Sequence, residues 1–231
     1  IAPKVGALIV LGRLAVVLPA TGVGWRPLVA GMSAVTMTLG NLAALRQDDV
    51  RRLLGWSAVS QTGYGLMALV ALDRSALALP ALIYFLLAYA LANLAAFAVV
   101  VELRGLTDRA AYAGLARTRP ALAAALTVAF LSFIGIPPLA GFWAKVALFG
   151  AAIEGGYAWL AGTAAVNTVI SLAYYARVLG PAFFEEGNGA QPVLAPTPTF
   201  IAVGCAAGVL IAGLGSGALF SGLHASRLLP W

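Results

Sequence analysis

The chain alternates between long runs of apolar residues and short polar segments. A helix needs roughly 20 apolar residues to cross a bilayer core about 30 Å thick. Seven runs are candidates for such helices: residues 2–20, 28–46, 54–72, 78–102, 121–152, 157–179 and 197–219. They are rich in alanine and leucine and lack the alternation of apolar and polar residues found in membrane β-strands. We therefore predict an all-α integral membrane protein with about seven transmembrane helices.

Composition agrees with that prediction and excludes several functions. Hydrophobic residues make up 62% of the chain and charged residues 10%, against about 45–50% and about 25% in soluble domains. One cysteine, Cys205, and one histidine, His224, are too few for an iron–sulfur cluster, a zinc site or a bis-histidine haem. The net charge is +6, but the basic residues form no stripe that nucleic acid could follow. We expect no metal, no cofactor and no nucleic acid on this chain.

The basic residues are divided unequally between the two sets of loops. Eight arginines fall on one side and three on the other: Arg46, Arg51, Arg52, Arg104, Arg109, Arg117, Arg119 and Arg177 against Arg26, Arg74 and Arg227. Because cytoplasmic loops carry an excess of Lys and Arg, we expect the first set to face the cytoplasm. The C-terminus at Trp231 would then lie outside, with Trp25 and Trp159 near the outer interface.

Both lysines of the chain, Lys4 and Lys145, lie within apolar runs. Ionisable groups inside a membrane normally face a bundle interior or a water-filled path. Burial disfavours the charged form of lysine, so a buried lysine can gain and lose a proton near neutral pH, which arginine cannot do. Either side chain could instead extend to a membrane interface, but the apolar residues on both sides of Lys145 favour burial. Both lysines are therefore candidates for proton transfer.

The run at 121–152 is too long for one straight crossing. It contains Gly135, Pro137 and Pro138, and two prolines in a row remove backbone donors and clash with the preceding turn. We predict a helix broken at residues 135–138. Broken helices are typical of ion and substrate sites in transporters, although a proline kink can also lack a function. The position of Lys145, two turns after the break, favours a site.

Polar residues in other runs could connect the two lysines through water. Ser57, Ser60, Gln61 and Tyr64 are three and four residues apart and share one helix face, and Ser132 lies just before the break. Their alternative role is ordinary hydrogen bonding between helices, worth about 0.6 kcal/mol on average.

Three segments are similar to a known family. These are GNLAALRQ at 40–47, VRRLLGWSAVSQTGY at 50–64 and LSFIGIPPLAGFWAK at 131–145. They resemble the antiporter-like membrane subunits of respiratory complex I, and the Gly-Phe-x-x-Lys ending is most similar to subunit N of bacterial NADH-quinone oxidoreductase. The family has about fourteen helices, built from two inverted five-helix repeats with a broken helix in each.

The resemblance implies that this chain is the C-terminal half of such a subunit. Residues 1–20 would be the last helix of the first repeat, 28–179 the second repeat and 197–219 a final helix. It also implies proton transfer through Lys4 and Lys145 in a bacterial inner membrane. Other membrane subunits would be the partners, and quinone and NADH would bind elsewhere. At Gln61 the family usually has histidine, so a relay at this position would depend on water.

Two alternatives remain open at this stage. Subunits of multi-component sodium/proton antiporters resemble the same family and share the Gly-Phe-x-x-Lys feature. The chain could also be a structural membrane subunit that transports nothing, in which case replacing Lys145 would be silent for transport or would damage assembly alone.

Overall fold

The protein, examined as a computed structural model, is described at residues 2–17, 24–103, 106–186 and 197–225. Within these ranges it is almost entirely helical, with one isolated bridge between Asp49 and Asp108, so the all-α prediction is confirmed. The helices are α1 Ala2–Val17, α2 Trp25–Leu45, α3 Val50–Leu69, α4 Ala78–Glu102, α5 Leu115–Thr118, α6 Pro120–Ile134, α7 Ala140–Glu154, α8 Ala158–Phe184, α9 Thr197–Leu214 and α10 Ser216–Ala225, with a 3-10 turn at Arg109–Tyr112. Residues 18–20, Arg104, Arg227 and Trp231 lie outside the described ranges.

Helix lengths follow the apolar runs closely. The predicted helix at 78–102 is observed at those bounds, and α2, α3 and α8 begin and end within a few residues of the prediction. The run at 121–152 is divided into α6 and α7, which confirms the predicted break. The prediction of one helix over 197–219 is wrong at its end, because α9 stops at Leu214 and the chain bends by 74° into α10. Gly213, Gly215 and Gly217 surround the bend, and glycine is a poor helix former.

Two helices, α2 and α4, are each long and apolar enough to cross a membrane, and α9 with α10 meets the same test as a bent pair. Two more apolar segments, Gly6–Ala15 and Pro120–Ile134, are shorter than one crossing. The described residues thus contain two or three clear spans. The total of seven and the division into repeats stay predictions.

Helix α4 lies at the centre of the bundle and packs against α3, α6, α7 and α9. Helices α2 and α3 form a close antiparallel pair because small residues lie at their contact. A methyl group at Gly40 would come within 2.5 Å of the Ser60 backbone nitrogen, and one at Gly63 within 2.8 Å of the Met37 nitrogen. Small residues of this kind let membrane helices approach closely.

Charged residues hold the loops at both ends of the bundle. At the end where α2 finishes and α3 begins, Asp48 pairs with Arg109 and Arg177, and the nearly buried Glu102 pairs with Arg119 at 2.8 Å. At the opposite end, Arg26 pairs with Asp73. These pairs join the short connections of the chain to helices that are distant in sequence.

Asp49 caps the first turn of α3. Its side chain accepts hydrogen bonds from the Arg52 backbone N–H at 2.9 Å and from Thr107 Oγ1 at 2.6 Å. Partial burial raises the pKa of Asp49. The hydrogen bonds and the charge of Arg51 lower it by a larger amount, so the pKa lies below its usual value. The capping carboxylate is therefore ionised at neutral pH.

Candidate functional site

The break between α6 and α7 depends on two glycines. Gly135 ends α6 with a φ of +89°, a left-handed conformation that favours glycine, and its N–H donates to the Leu131 carbonyl at 2.9 Å. At Gly141 an added methyl group would lie 1.8 Å from the Ser132 carbonyl oxygen. The two half-helices therefore pass each other in direct backbone contact.

Ser132 joins the two half-helices by a hydrogen bond. Its Oγ accepts from the Gly141 backbone N–H at 3.1 Å. The first N–H groups of a helix have no partner within the helix, so the side chain of α6 supplies a cap for α7. Ser132 therefore lies at the break and has a structural role there that spacing alone did not indicate.

Lys145 projects from α7 back across the break and is 4% exposed. Its Nζ donates to the Ile134 carbonyl at 3.1 Å and to Thr168 Oγ1 at 3.3 Å. The amine also lies 4.4 Å from the centre of the Tyr64 ring, within the range of cation–π attraction. Among the described residues no carboxylate forms an ion pair with it. The predicted burial of Lys145 is confirmed.

Gln61 on α3 forms a hydrogen bond to the C-terminal end of α6. Its Nε2 donates to the Phe133 carbonyl at 3.3 Å, the neighbour of the carbonyl that Lys145 binds. The last four carbonyls of a helix have no partner within the helix. Side chains of α3 and α7 thus donate hydrogen bonds to two of the carbonyls that the break exposes.

A small cavity lies beside these groups. Its volume is about 10 Å³, close to the minimum that holds one water molecule. It is lined by one polar residue from each of four helices, two apolar residues of α4 and the close-packed glycine: Gln61, Tyr89, Ser132 and Lys145, with Phe85, Ala88 and Gly141. A water here would have polar partners on several sides.

Lys4 lies close to the same cavity but does not enter it. Its Nζ donates to the Ala58 carbonyl at 2.7 Å and is 5.9 Å from the centre of the Tyr89 ring. Tyr89 therefore lies next to Lys4 and also lines the cavity of Lys145. Its hydroxyl accepts from Asn93 Nδ2 at 2.9 Å. Sequence reasoning missed Tyr89, because nothing in a run of apolar residues distinguishes it from an ordinary core aromatic.

The predicted polar face of α3 is divided by the fold. Tyr64 reaches Thr168 Oγ1 and the Ala164 carbonyl, each at 3.0 Å, so it joins Gln61 at the site. Ser57 instead bonds to the Tyr175 hydroxyl. Ser60 is buried against α2, and its hydroxyl has no hydrogen-bond partner among the described residues.

The two prolines of the break are exposed on its outer side. The Pro138 carbonyl faces α9 at Gly213. Pro137 and Pro138 therefore form the turn of the break and do not line the cavity.

A second group of polar side chains lies on α2 and α8. Asn41 Nδ2 donates to Asn167 Oδ1 at 2.9 Å, and Asn41 Oδ1 accepts from the Tyr174 hydroxyl at 3.0 Å. Asn167 also donates to Thr38 Oγ1 at 3.1 Å. These groups satisfy one another between the two helices, as interhelical hydrogen bonds do in membrane bundles.

Comparisons with known proteins identify the family. Residues 1–171 match the family described as NADH:quinone oxidoreductase/Mrp antiporter, transmembrane. The chain is 49% identical, over 218 residues, to NADH-quinone oxidoreductase subunit N of Mycobacterium sp. (strain JLS). The aligned region covers 93% of this chain and 46% of that protein. The chain spans about half the length of this relative and of NADH-quinone oxidoreductase subunit N 1 of Streptomyces griseus, to which it is 45% identical over 235 residues.

Solved structures share the arrangement. A chain of respiratory complex I from Thermus thermophilus superposes with a TM-score of 0.75 at 33% identity, covering 84% of this chain and 45% of that one. A chain of the Mrp complex from Dietzia sp. superposes with a TM-score of 0.79 at 22% identity, covering 89% and 47%. The second likeness shows a common fold alone.

Proposed function

The chain belongs to the NADH:quinone oxidoreductase/Mrp antiporter membrane family, and on that premise we propose that it is part of a proton-translocating membrane subunit of an NADH-quinone oxidoreductase. Lys145 carries the proposal. It is a buried amine at a broken helix, held by a backbone carbonyl and a hydroxyl, and it lines a cavity of the size of one water. Such a group can hold a proton and release it when its surroundings change.

Tyr89 connects the surroundings of the two lysines, and this arrangement supports the same function. Lys4 lies beside Tyr89, and Tyr89 lines the cavity that Lys145 enters. We propose that a proton passes from Lys4 to Lys145 through water held near Tyr89, Gln61 and Ser132, and then leaves toward the outer face. Gln61 would orient the water without taking up the proton.

The remaining features follow from this assignment. We propose about seven transmembrane helices in a bacterial inner membrane, with the C-terminus outside and other membrane subunits of the complex as partners. Redox chemistry would occur on those partners, which would bind NADH and quinone, and this chain would hold no cofactor or metal. The translocase activity would be that of the complex.

The test uses membrane vesicles that contain the full-length parent complex with Lys145→Ala. Proton uptake per NADH oxidised is measured beside assembly on a native gel. The matched control is Val146→Ala, an exposed neighbour on the same helix. We expect the Lys145 variant to assemble and to take up fewer protons per electron. Normal uptake in an assembled complex would show that Lys145 is structural.

A second candidate is a subunit of a multi-component sodium/proton antiporter. The description of the matched family supports this candidate, because it names the Mrp antiporter beside NADH:quinone oxidoreductase. The two candidates differ in their need for sodium. Proton movement that requires sodium and proceeds without NADH oxidation would support the antiporter.

A further inference from the structure

Helix α9 lies beyond the residues that match the family, yet it contacts the break directly. A methyl group at Gly213 would lie 2.1 Å from the Pro138 carbonyl oxygen and 2.7 Å from the Ala140 backbone nitrogen. These atoms belong to the turn that joins α6 to α7. The last turn of α9 therefore rests on the first turn of α7 with no space for a side chain.

Helix α9 also contacts α4, through Tyr84. The Tyr84 hydroxyl on α4 donates to the Ala212 carbonyl at 2.8 Å. The Tyr84 ring lies 4.7 Å from the ring of Phe220 on α10, centre to centre. These contacts fix the end of α9 and the start of the 74° bend, so α9 cannot retreat freely from the break.

Lys145 lies five residues after Ala140 on the same short helix. Its hydrogen bonds to Ile134 and Thr168 are 3.1 Å and 3.3 Å long, close to the upper limit for good geometry. A displacement of α7 by about 1 Å would break or rebuild them. The position of the Lys145 amine thus depends on where the N-terminus of α7 lies.

We propose that α9 positions the broken helix, with Gly213 as the positioning residue that sets where Lys145 Nζ lies. Ordinary contact begins near 3.4 Å, so an alanine at this position requires a shift of more than about 1 Å between two backbone segments. A misplacement of about 1 Å can cost about 100-fold in rate. The consequence for transport rests on the function proposed above.

The test compares Gly213→Ala with Gly204→Ala in the full-length parent complex. Gly204 lies on the same helix, and a methyl group there would meet no atom within 4 Å. Proton uptake per electron is measured across a range of pH, beside assembly. We expect Gly213→Ala to lower proton uptake toward the level of Lys145→Ala, and the double variant to lose no more than Lys145→Ala alone, because coupled residues are not additive. The pH profile should shift in Gly213→Ala and stay unchanged in Gly204→Ala.

Unchanged uptake and an unchanged pH profile in assembled Gly213→Ala would overturn the positioning role. Normal uptake in Lys145→Ala would overturn the proposed function instead, so the two failures are distinguishable. If Gly213→Ala does not assemble, the Tyr84→Phe variant tests the positioning role instead, because it removes one hydrogen bond to α9 and keeps the ring. A partial loss of uptake then supports the proposal, and wild-type uptake refutes it.

Discussion

Replacement of Thr168 by valine isolates one of the two direct acceptors of Lys145. The Thr168 hydroxyl accepts from Lys145 Nζ at 3.3 Å, lies 3.0 Å from the Tyr64 hydroxyl and donates to the Ala164 carbonyl of its own helix. Valine has nearly the same shape and removes only the oxygen. The amine would keep the Ile134 carbonyl as its remaining acceptor.

The size of the effect follows from the charge of the amine. A hydrogen bond to a charged group contributes roughly 1.5–3 kcal/mol, about twice that of a neutral pair. Since about 1.36 kcal/mol corresponds to a factor of ten in rate, we expect proton uptake through Lys145 to fall roughly ten- to a hundredfold. Tyr64 retains the Ala164 carbonyl as its acceptor, so the packing of α3 on α8 should remain.

The assay is the rate of proton uptake driven by NADH in vesicles that contain the assembled parent complex, measured beside the rate of NADH oxidation. Thr127→Val is the matched control, because its hydroxyl makes the same kind of bond, to Ala123 of its own helix at 2.7 Å, away from the amine. Equal uptake in the Thr168 and Thr127 variants would refute the reasoning. It would mean that the Thr168 contact does not affect the proton on Lys145.

Two further predictions concern α3. The Gln61→His variant should assemble, because one ring nitrogen can replace the donor to the Phe133 carbonyl. Its proton uptake should gain a pH dependence between about pH 5 and 8, where histidine changes charge. An unchanged pH profile would contradict a role of residue 61 in the relay. Asp49→Ala should lower stability to thermal unfolding by about 1 kcal/mol, the usual cost of losing an N-cap. Because the pKa of Asp49 lies below its usual value in the folded chain, its contribution is complete above that usual value and lost as the pH falls through the lower folded pKa. The wild type and the variant should therefore converge in acid, and a difference that persists there would contradict the capping role.

The helices and the break were predictable because both depend on local sequence. An apolar run of sufficient length predicts a membrane helix whatever surrounds it, and the glycine and two prolines at 135–138 interrupt a helix by backbone chemistry alone. The burial of Lys145 was predictable for the same reason, since its neighbours on the chain are apolar.

The partners of Lys145 were not predictable, because they depend on how helices pack. Thr168 and Ile134 are 23 and 11 residues away, and no spacing rule joins them to the amine. Spacing placed Ser57 and Tyr64 on one face of α3, but α8 meets them with different residues, so they bond to different groups. Gly213 carried no signal, because its meaning comes from the Pro138 carbonyl that lies against it.

The carbonyl that binds Lys145 has an electrostatic consequence. The end of α6 carries the partial negative charge of a helix C-terminus, equivalent to about half an elementary charge. It therefore serves as a counter-ion that cannot itself be protonated, unlike a carboxylate. The field at the amine therefore changes when the helix ends move, when the charge on Lys4 changes or when a neighbouring segment supplies a charge.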